Sequence, residues 1–175
     1  MKLSEVITYC AGIERLIGDV YDSFASRWPD PPIAGLWRDL AQEERVHGAL
    51  LDDAARMPAA DRADPSFDAA KLEALRQSVA DRMASATTTL DQALTTALDL
   101  EGVELDNIYR RLFALTTDDS RMSSVFRSAL GQFGRHETRI LSAIESYSRE
   151  PVLLARASRE RQHLLRELSG RGAAE

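Results

Sequence analysis

Residues 40–51 read "LAQEERVHGALL". Leu40, Glu44, His47 and Leu51 recur at helical spacing, so one face of one helix carries two leucines with an acid and an imidazole between them. An apolar stripe faces a core, and a buried acid is costly unless something compensates it. The rest of the chain must supply both the core and the compensation.

Helical periodicity runs through most of the 175 residues, and strand signals are nearly absent. The first helix is expected over about residues 4–27, with Ser4 a possible N-cap and Val6, Cys10, Ile13, Ile17, Val20 and Phe24 inward. The turn "RWPDPP" ends it. Asp30 before Pro31 then starts a second helix, about 32–55, with Ile33, Leu36, Leu40 and Leu51 inward. Residues 56–67, "RMPAADRADPSF", read as loop. Residues 68–84 carry Leu72, Leu75, Val79 and Met83 at helical spacing. A third long helix, about 89–116, is capped by Thr88 or Thr89 and buries Leu90, Leu94, Ala97, Leu98, Leu105, Ile108 and Leu112. "TTDDS" separates it from a fourth, about 120–148, with the stripe Phe126, Ala129, Leu130, Phe133, Ile140, Ile144 and Tyr147. Residues 151–175 hold five leucines among many arginines, a candidate fifth helix, with "SGRGAAE" expected to be disordered.

The connections suggest a topology. Tight joins make helices one and two, and three and four, antiparallel. A helix of roughly 22 residues is about 33 Å long, and the second connection is long enough to cross that length. The expectation is an all-α, ferritin-like four-helix bundle over residues 1–150, with a long crossover between helices two and three and a helical extension over 151–175. One continuous helix over 68–116 is the alternative.

Composition narrows the function. Apolar residues make up 44% and charged residues 29%, with net charge -6 and a pI near 5.2, an ordinary globular balance. That acidity argues against nucleic acid or an anionic membrane as partner. The one cysteine, Cys10, excludes an intrachain disulfide or a CxxC metal site. No apolar run of about 18 residues exists and no signal peptide is evident, so a cytoplasmic location is the default expectation. Nothing resembles a nucleophile triad, a phosphate loop or a nucleotide fingerprint.

Each long helix carries an ionisable residue near its middle on the apolar side: Glu14 in the first, Glu44 and His47 in the second, Glu101 with Glu104 one turn on in the third, and His136 in the fourth. Helices of similar length packed side by side bring their midpoints level. Carboxylates gathered there repel and are poorly solvated, and a bound cation reverses that cost. Carboxylate with imidazole suits iron, manganese or zinc, and Glu-x-x-His places both groups on one face. The alternative is that Glu14, Glu101 or Glu104 lies at the stripe's edge and pairs with Arg15, Arg45, Arg110 or Arg139, and that His136 is a hydrogen-bonded core histidine.

The segments "GIERLIGDVYDSFA", "LAQEERVHGALL", "ALDLEGVELDNIYRRL" and "LGQFGRHETRIL" resemble the rubrerythrin branch of the ferritin-like superfamily over about residues 5–148. Glu14 with Tyr21 seven on, Glu44-x-x-His47, and the acidic pair Glu101 and Glu104 match its pattern. The resemblance implies metal ligands at Glu14, Glu44, His47, Glu101, Glu104 and His136, one or two irons, and reduction of peroxide or oxidation of ferrous iron. The fourth helix departs from the pattern: Phe133 stands where a second Glu-x-x-His would have its glutamate. Glu137 is turned about 100° from His136 on an ideal helix. Tyr109 lies eight residues after Glu101 instead of seven, which implies a one-residue bulge. With one cysteine, no rubredoxin module is expected within these residues.

The functional expectation is therefore a metal-binding protein, with iron first and zinc or manganese as alternatives, acting with peroxide or oxygen. The competing readings are a bundle that has lost metal redox chemistry and works by binding, and a single or zinc site of structural role. A homo-oligomer is expected, with Trp28, Trp37 and the tail as candidate contacts.

Overall fold

The computed structural model describes residues 1–64, 66–84, 89–101 and 105–171, excluding the side chains of 84, 105–107, 129–134 and 167–171. All regular structure among the described residues is helical: α1 (Leu3–Arg27), α2 (Pro31–Ala55), a 3-10 turn (Pro58–Asp61), α3 (Ala69–Ala84), α4 (Leu90–Glu101), α5 (Leu105–Leu115), α6 (Ser120–Tyr147) and α7 (Pro151–Arg171).

Local chemistry sets the ends. α1 begins before Ser4, because Lys2 is the N-cap and its backbone N–H donates to Glu5. Leu3 N–H also donates to Arg62 O at 2.9 Å, which ties the start to the segment after α2. Asp30 caps α2 with Pro31 at N1, and proline's fixed φ supplies the start without a side-chain cap bond. Thr89 and Gln92 cap α4 reciprocally: each side chain accepts the other's backbone N–H, both at 3.2 Å. That cap begins a new helix, so one unbroken helix over 68–116 does not form. The described parts of the expected third helix are α4 and α5. The bulge expected there, like Glu104, falls at 102–104, outside the described residues. Asp119 caps α6 by accepting from the N–H groups of Arg121 and Met122, both at 3.0 Å, a contact worth about 1 kcal/mol. The 56–67 segment is not all loop, since it holds the 3-10 turn. α7 continues through Ser169 to Arg171, where disorder was expected.

Side-chain contacts give the helix directions. Arg15 pairs with Asp52 and Arg45 with Asp22, so α1 and α2 run antiparallel. Tyr21 meets Glu101 and Tyr109 meets Glu14, so α4 and α5 run antiparallel to α1. His136 meets Glu101 and Tyr109 packs on Phe126, so α6 runs antiparallel to both. Arg139 reaches Asp39 while His136 reaches Glu43, so α6 also opposes α2. α3 lies against α1 and α7 against α6, with Arg156–Asp99 and Arg161–Glu145 bridges holding α7.

α1 and α2 make the closest pairing. A Cβ on Gly18 would lie 3.2 Å from Ala41 O, and one on Gly48 would lie 3.3 Å from Ala11 O. Absence of a side chain at these two positions lets the backbones approach. Beyond them Tyr21, Phe24, Trp28 and Trp37 form an aromatic cluster, with Trp37 stacked on Tyr21 at 5.9 Å. Trp37 is fully buried, so it is no candidate for a contact between subunits, because this cluster absorbs it. Met83 and Tyr147 are exposed rather than inward: each lies near the last described turn of its helix, and the described residues leave much of each side chain uncovered. No helix among the described residues is long and apolar enough to cross a membrane.

Candidate metal centre

Glu14 of α1, Glu44 and His47 of α2, and His136 of α6 are all buried, between 0% and 2% exposed. The Glu101 side chain at the end of α4 is 5% exposed. The antiparallel pairings bring these mid-helix positions to one level. They form two triads, Glu14–Glu44–His47 and Glu44–Glu101–His136. In each, one potential ligand atom per residue lies within 4.8 Å of the other two. Glu44 belongs to both, so one carboxylate stands between two potential cation positions.

Two phenols brace the acids. Tyr109 O–H donates to Glu14 Oε1 at 2.5 Å, and Tyr21 O–H donates to Glu101 Oε1 at 2.7 Å. The arrangement is an exchange: α1 supplies an acid and the tyrosine that holds the opposite acid, and α4 with α5 do the reverse. His47 Nδ1 lies 3.3 Å from Glu44 Oε2. His136 Nδ1 lies 3.1 Å from Glu44 Oε1 and 3.5 Å from Glu101 Oε2. The two imidazole rings stack at 5.5 Å.

The protein leaves part of this cluster unsatisfied. Glu14 Oε2 has no hydrogen-bond partner, and neither nitrogen of His136 is aligned for a hydrogen bond despite its short contacts. Buried polar atoms without partners are costly. Burial and the charge of Glu44 push the Glu14 carboxyl well above its ordinary range. Burial also pushes Glu101 up, more than His136 and Tyr21 pull it down. Burial would raise Glu44 too, but the proton on neighbouring Glu14 and the nearby imidazoles of His136 and His47 outweigh it and hold Glu44 below the ordinary range. Burial would lower His136, but Glu101 and Glu44 hold it up, to about 10. Without a cation the cluster therefore keeps protons on Glu14 and His136. A cation can displace those protons, occupy the orphaned oxygen and neutralise the acids together. Three carboxylates and two imidazoles make a borderline donor set that fits iron, manganese or zinc.

Five of the six residues expected at a site come together: Glu14, Glu44, His47, Glu101 and His136. Glu104 lies outside the described residues, as does the Phe133 side chain, and neither triad includes Glu137. The alternative ion pairs with the acids do not form at Arg15, Arg45 or Arg139, which engage Asp52, Asp22 and Glu43 instead. Two features were not read from the sequence. The Tyr109–Glu14 bond needs the α1–α5 pairing to be known. Glu43, whose Oε2 is 2.6 Å from His136 Nε2, lies off the apolar stripe, and its only sequence signal is adjacency to Glu44.

The Cys10 thiol is buried beside this cluster, and burial together with Glu14's charge raises it far above its ordinary range. Neither ligand triad includes it. Neither a protein-family model, nor a curated protein, nor a solved structure matches the chain.

Proposed function

We propose that the chain is a ferritin-like protein of the rubrerythrin type that binds iron between its helices and acts with peroxide or oxygen. The observation that carries this reading is Glu44, a buried carboxylate common to two ligand triads drawn from four helices. The contact directions support the fold half of the reading. α2 and α4–α5 each oppose α1 and α6 and so run the same way, joined by the long segment that contains α3, as a ferritin-like crossover requires.

In this reading Glu14 and His47 hold one ion, Glu101 and His136 hold a second, and Glu44 lies between them. Bound iron would supply one-electron redox chemistry that the side chains lack. The protein contributes the rest. Tyr21 and Tyr109 fix one oxygen of Glu101 and of Glu14, leaving the other oxygen of each for the ion. The surrounding apolar residues exclude bulk water, and the raised phenols of both tyrosines stay protonated as donors.

Phe133 favours a second reading. It removes one carboxylate from the set the family pattern implies, so the chain would hold a single ion, or zinc in a structural role, or no metal while acting as a binding protein. Exposed Val152 and Leu165 on α7, with Val46 and Leu50 on α2, are apolar surface suited to self-association in either reading.

Anaerobic ferrous iron added to the full chain, followed by desalting and metal analysis, separates the readings. One to two irons are expected per chain, with a ferric absorption band growing after exposure to peroxide or air, and both should be lost in Glu44→Ala. Wild-type protein that retains no more iron than Glu44→Ala overturns the proposal.

A further inference from the structure

Glu43 follows Gln42 and precedes Glu44 on α2, yet it is not part of the buried face. Its side chain is 39% exposed, against 1% for His136. Its Oε2 lies 2.6 Å from His136 Nε2. Arg139 holds Glu43 from the other side, with Nη1 donating to both carboxylate oxygens at 2.9 Å. Arg139 Nη2 also donates to Asp39 Oδ2 at 3.2 Å. Arg139 is about one turn beyond His136 on α6, and Asp39 one turn before Glu43 on α2. The four side chains therefore form a ladder between the two helices, with its inner end at the metal centre and its outer end in solvent.

The contact with His136 has chemical content. A carboxylate oxygen 2.6 Å from a ring nitrogen is attractive where that nitrogen carries hydrogen, and repulsive where two lone pairs face each other. The N–H is off-line from the oxygen in this structure, and Nδ1 faces carboxylates as well, so the metal-free ring carries hydrogen on both nitrogens; an ion between Glu44 and Glu101 would displace the one at Nδ1 and leave the one that faces Glu43. A neutral imidazole has one N–H, so hydrogen at Nε2 leaves the lone pair at Nδ1. Nδ1 is the nitrogen that faces Glu44 and Glu101.

We propose that Glu43, clamped by Arg139 and Asp39, is a positioning residue of the centre: it keeps hydrogen on Nε2 of His136 and so presents Nδ1 to the ion between Glu44 and Glu101. This rests on the reading of the cluster as a metal site. A carboxylate behind a ligand histidine fixes its ring and raises its basicity, and losing such a partner commonly costs 10–100-fold in metal affinity.

Zinc titration of the full chain tests it, because zinc is diamagnetic and allows the ring nitrogens of His136 to be read by ¹⁵N NMR. Glu43→Ala should weaken zinc binding about 10–100-fold. Glu43→Gln, whose amide oxygen can still accept from Nε2–H, should recover most of that loss. Zinc-loaded wild type should carry hydrogen on Nε2 of His136. The metal-free melting temperature of Glu43→Gln should stay near wild type, because its amide oxygen keeps the contact with the buried Nε2–H of His136. Zinc affinity of Glu43→Ala within twofold of wild type, or hydrogen on Nδ1 in the loaded wild type, overturns the inference. If Glu43→Ala folds poorly, the wild-type ring spectrum still decides. Wild type binding zinc no better than Glu44→Ala overturns the metal centre itself, and this inference with it. Tight binding by wild type, weak binding by Glu44→Ala and undiminished binding by Glu43→Ala overturns the inference alone.

Discussion

Glu14→Gln separates what the fold needs at the α1 midpoint from what a metal needs there. In the metal-free protein burial and Glu44 hold the Glu14 carboxyl well above its ordinary range, so it folds carrying a proton. A glutamine is nearly the same shape, is neutral at every pH, and keeps an oxygen to accept from Tyr109. The unfolded chain releases that proton above the ordinary carboxylate value and the folded chain keeps it. Wild-type stability from this group is therefore fully present at low pH and falls as pH rises. Glutamine has no proton to take up. In chelator Glu14→Gln should match wild type near pH 4 and become the more stable protein toward neutral pH. With metal the order reverses. An ion at 100 times its dissociation constant stabilises wild type by about 2.7 kcal/mol, roughly 5–11 °C in melting temperature for a domain of this size. If the neutral amide weakens binding about 100-fold, the same metal concentration leaves about 0.4 kcal/mol, roughly 1–2 °C. Differential scanning calorimetry of both proteins with zinc and with chelator, at two pH values, measures these differences. A variant that melts well below wild type in chelator, or that keeps the full zinc shift, refutes the account of Glu14 as a protonated ligand awaiting an ion.

Two further outcomes follow from the same geometry. Zinc binding should release protons, because His136, held up to about 10, and Glu14 must both give theirs up. Calorimetric titration in buffers of different ionisation enthalpy should show the release, and apparent affinity should climb by roughly one decade or more per pH unit between pH 6 and 8; binding independent of buffer and pH would contradict it. Gly48→Val should destabilise the fold by about 1–3 kcal/mol in urea denaturation, since even its Cβ would press on the Ala11 carbonyl at 3.3 Å. An unchanged or raised midpoint would mean that α1 and α2 can separate freely.

The long helices were legible because their stripes are regular. α1, α2 and α6 begin and end within about two residues of where periodicity and turn residues put them. Glu14, Glu44, His47 and His136 could be placed because each interrupts an apolar stripe, and an interruption is visible in one dimension. Glu43 could not, since its role depends on His136 and Arg139 arriving from another helix. The buried Trp37 and exposed Tyr147 were misread for a related reason. Burial at the end of a stripe is decided by which neighbour reaches that far, and spacing along the chain carries no such information. Lys2 displaced Ser4 as the cap because the carbonyl of Arg62, sixty residues away, holds the backbone of Leu3 at the start of α1.

The aromatic cluster gives the molecule its own optical probe. The chain has two tryptophans. Trp37 is sealed from solvent with its indole N–H lacking a hydrogen-bond partner, and it stacks on Tyr21, whose hydroxyl touches Glu101. Such an indole emits toward the blue, because it is shut off from the water that would relax around its excited state. A paramagnetic ion arriving at Glu101 would be one tyrosine away and would dim that emission, while the partly exposed Trp28 provides a redder background against which loading can be followed in unlabelled protein.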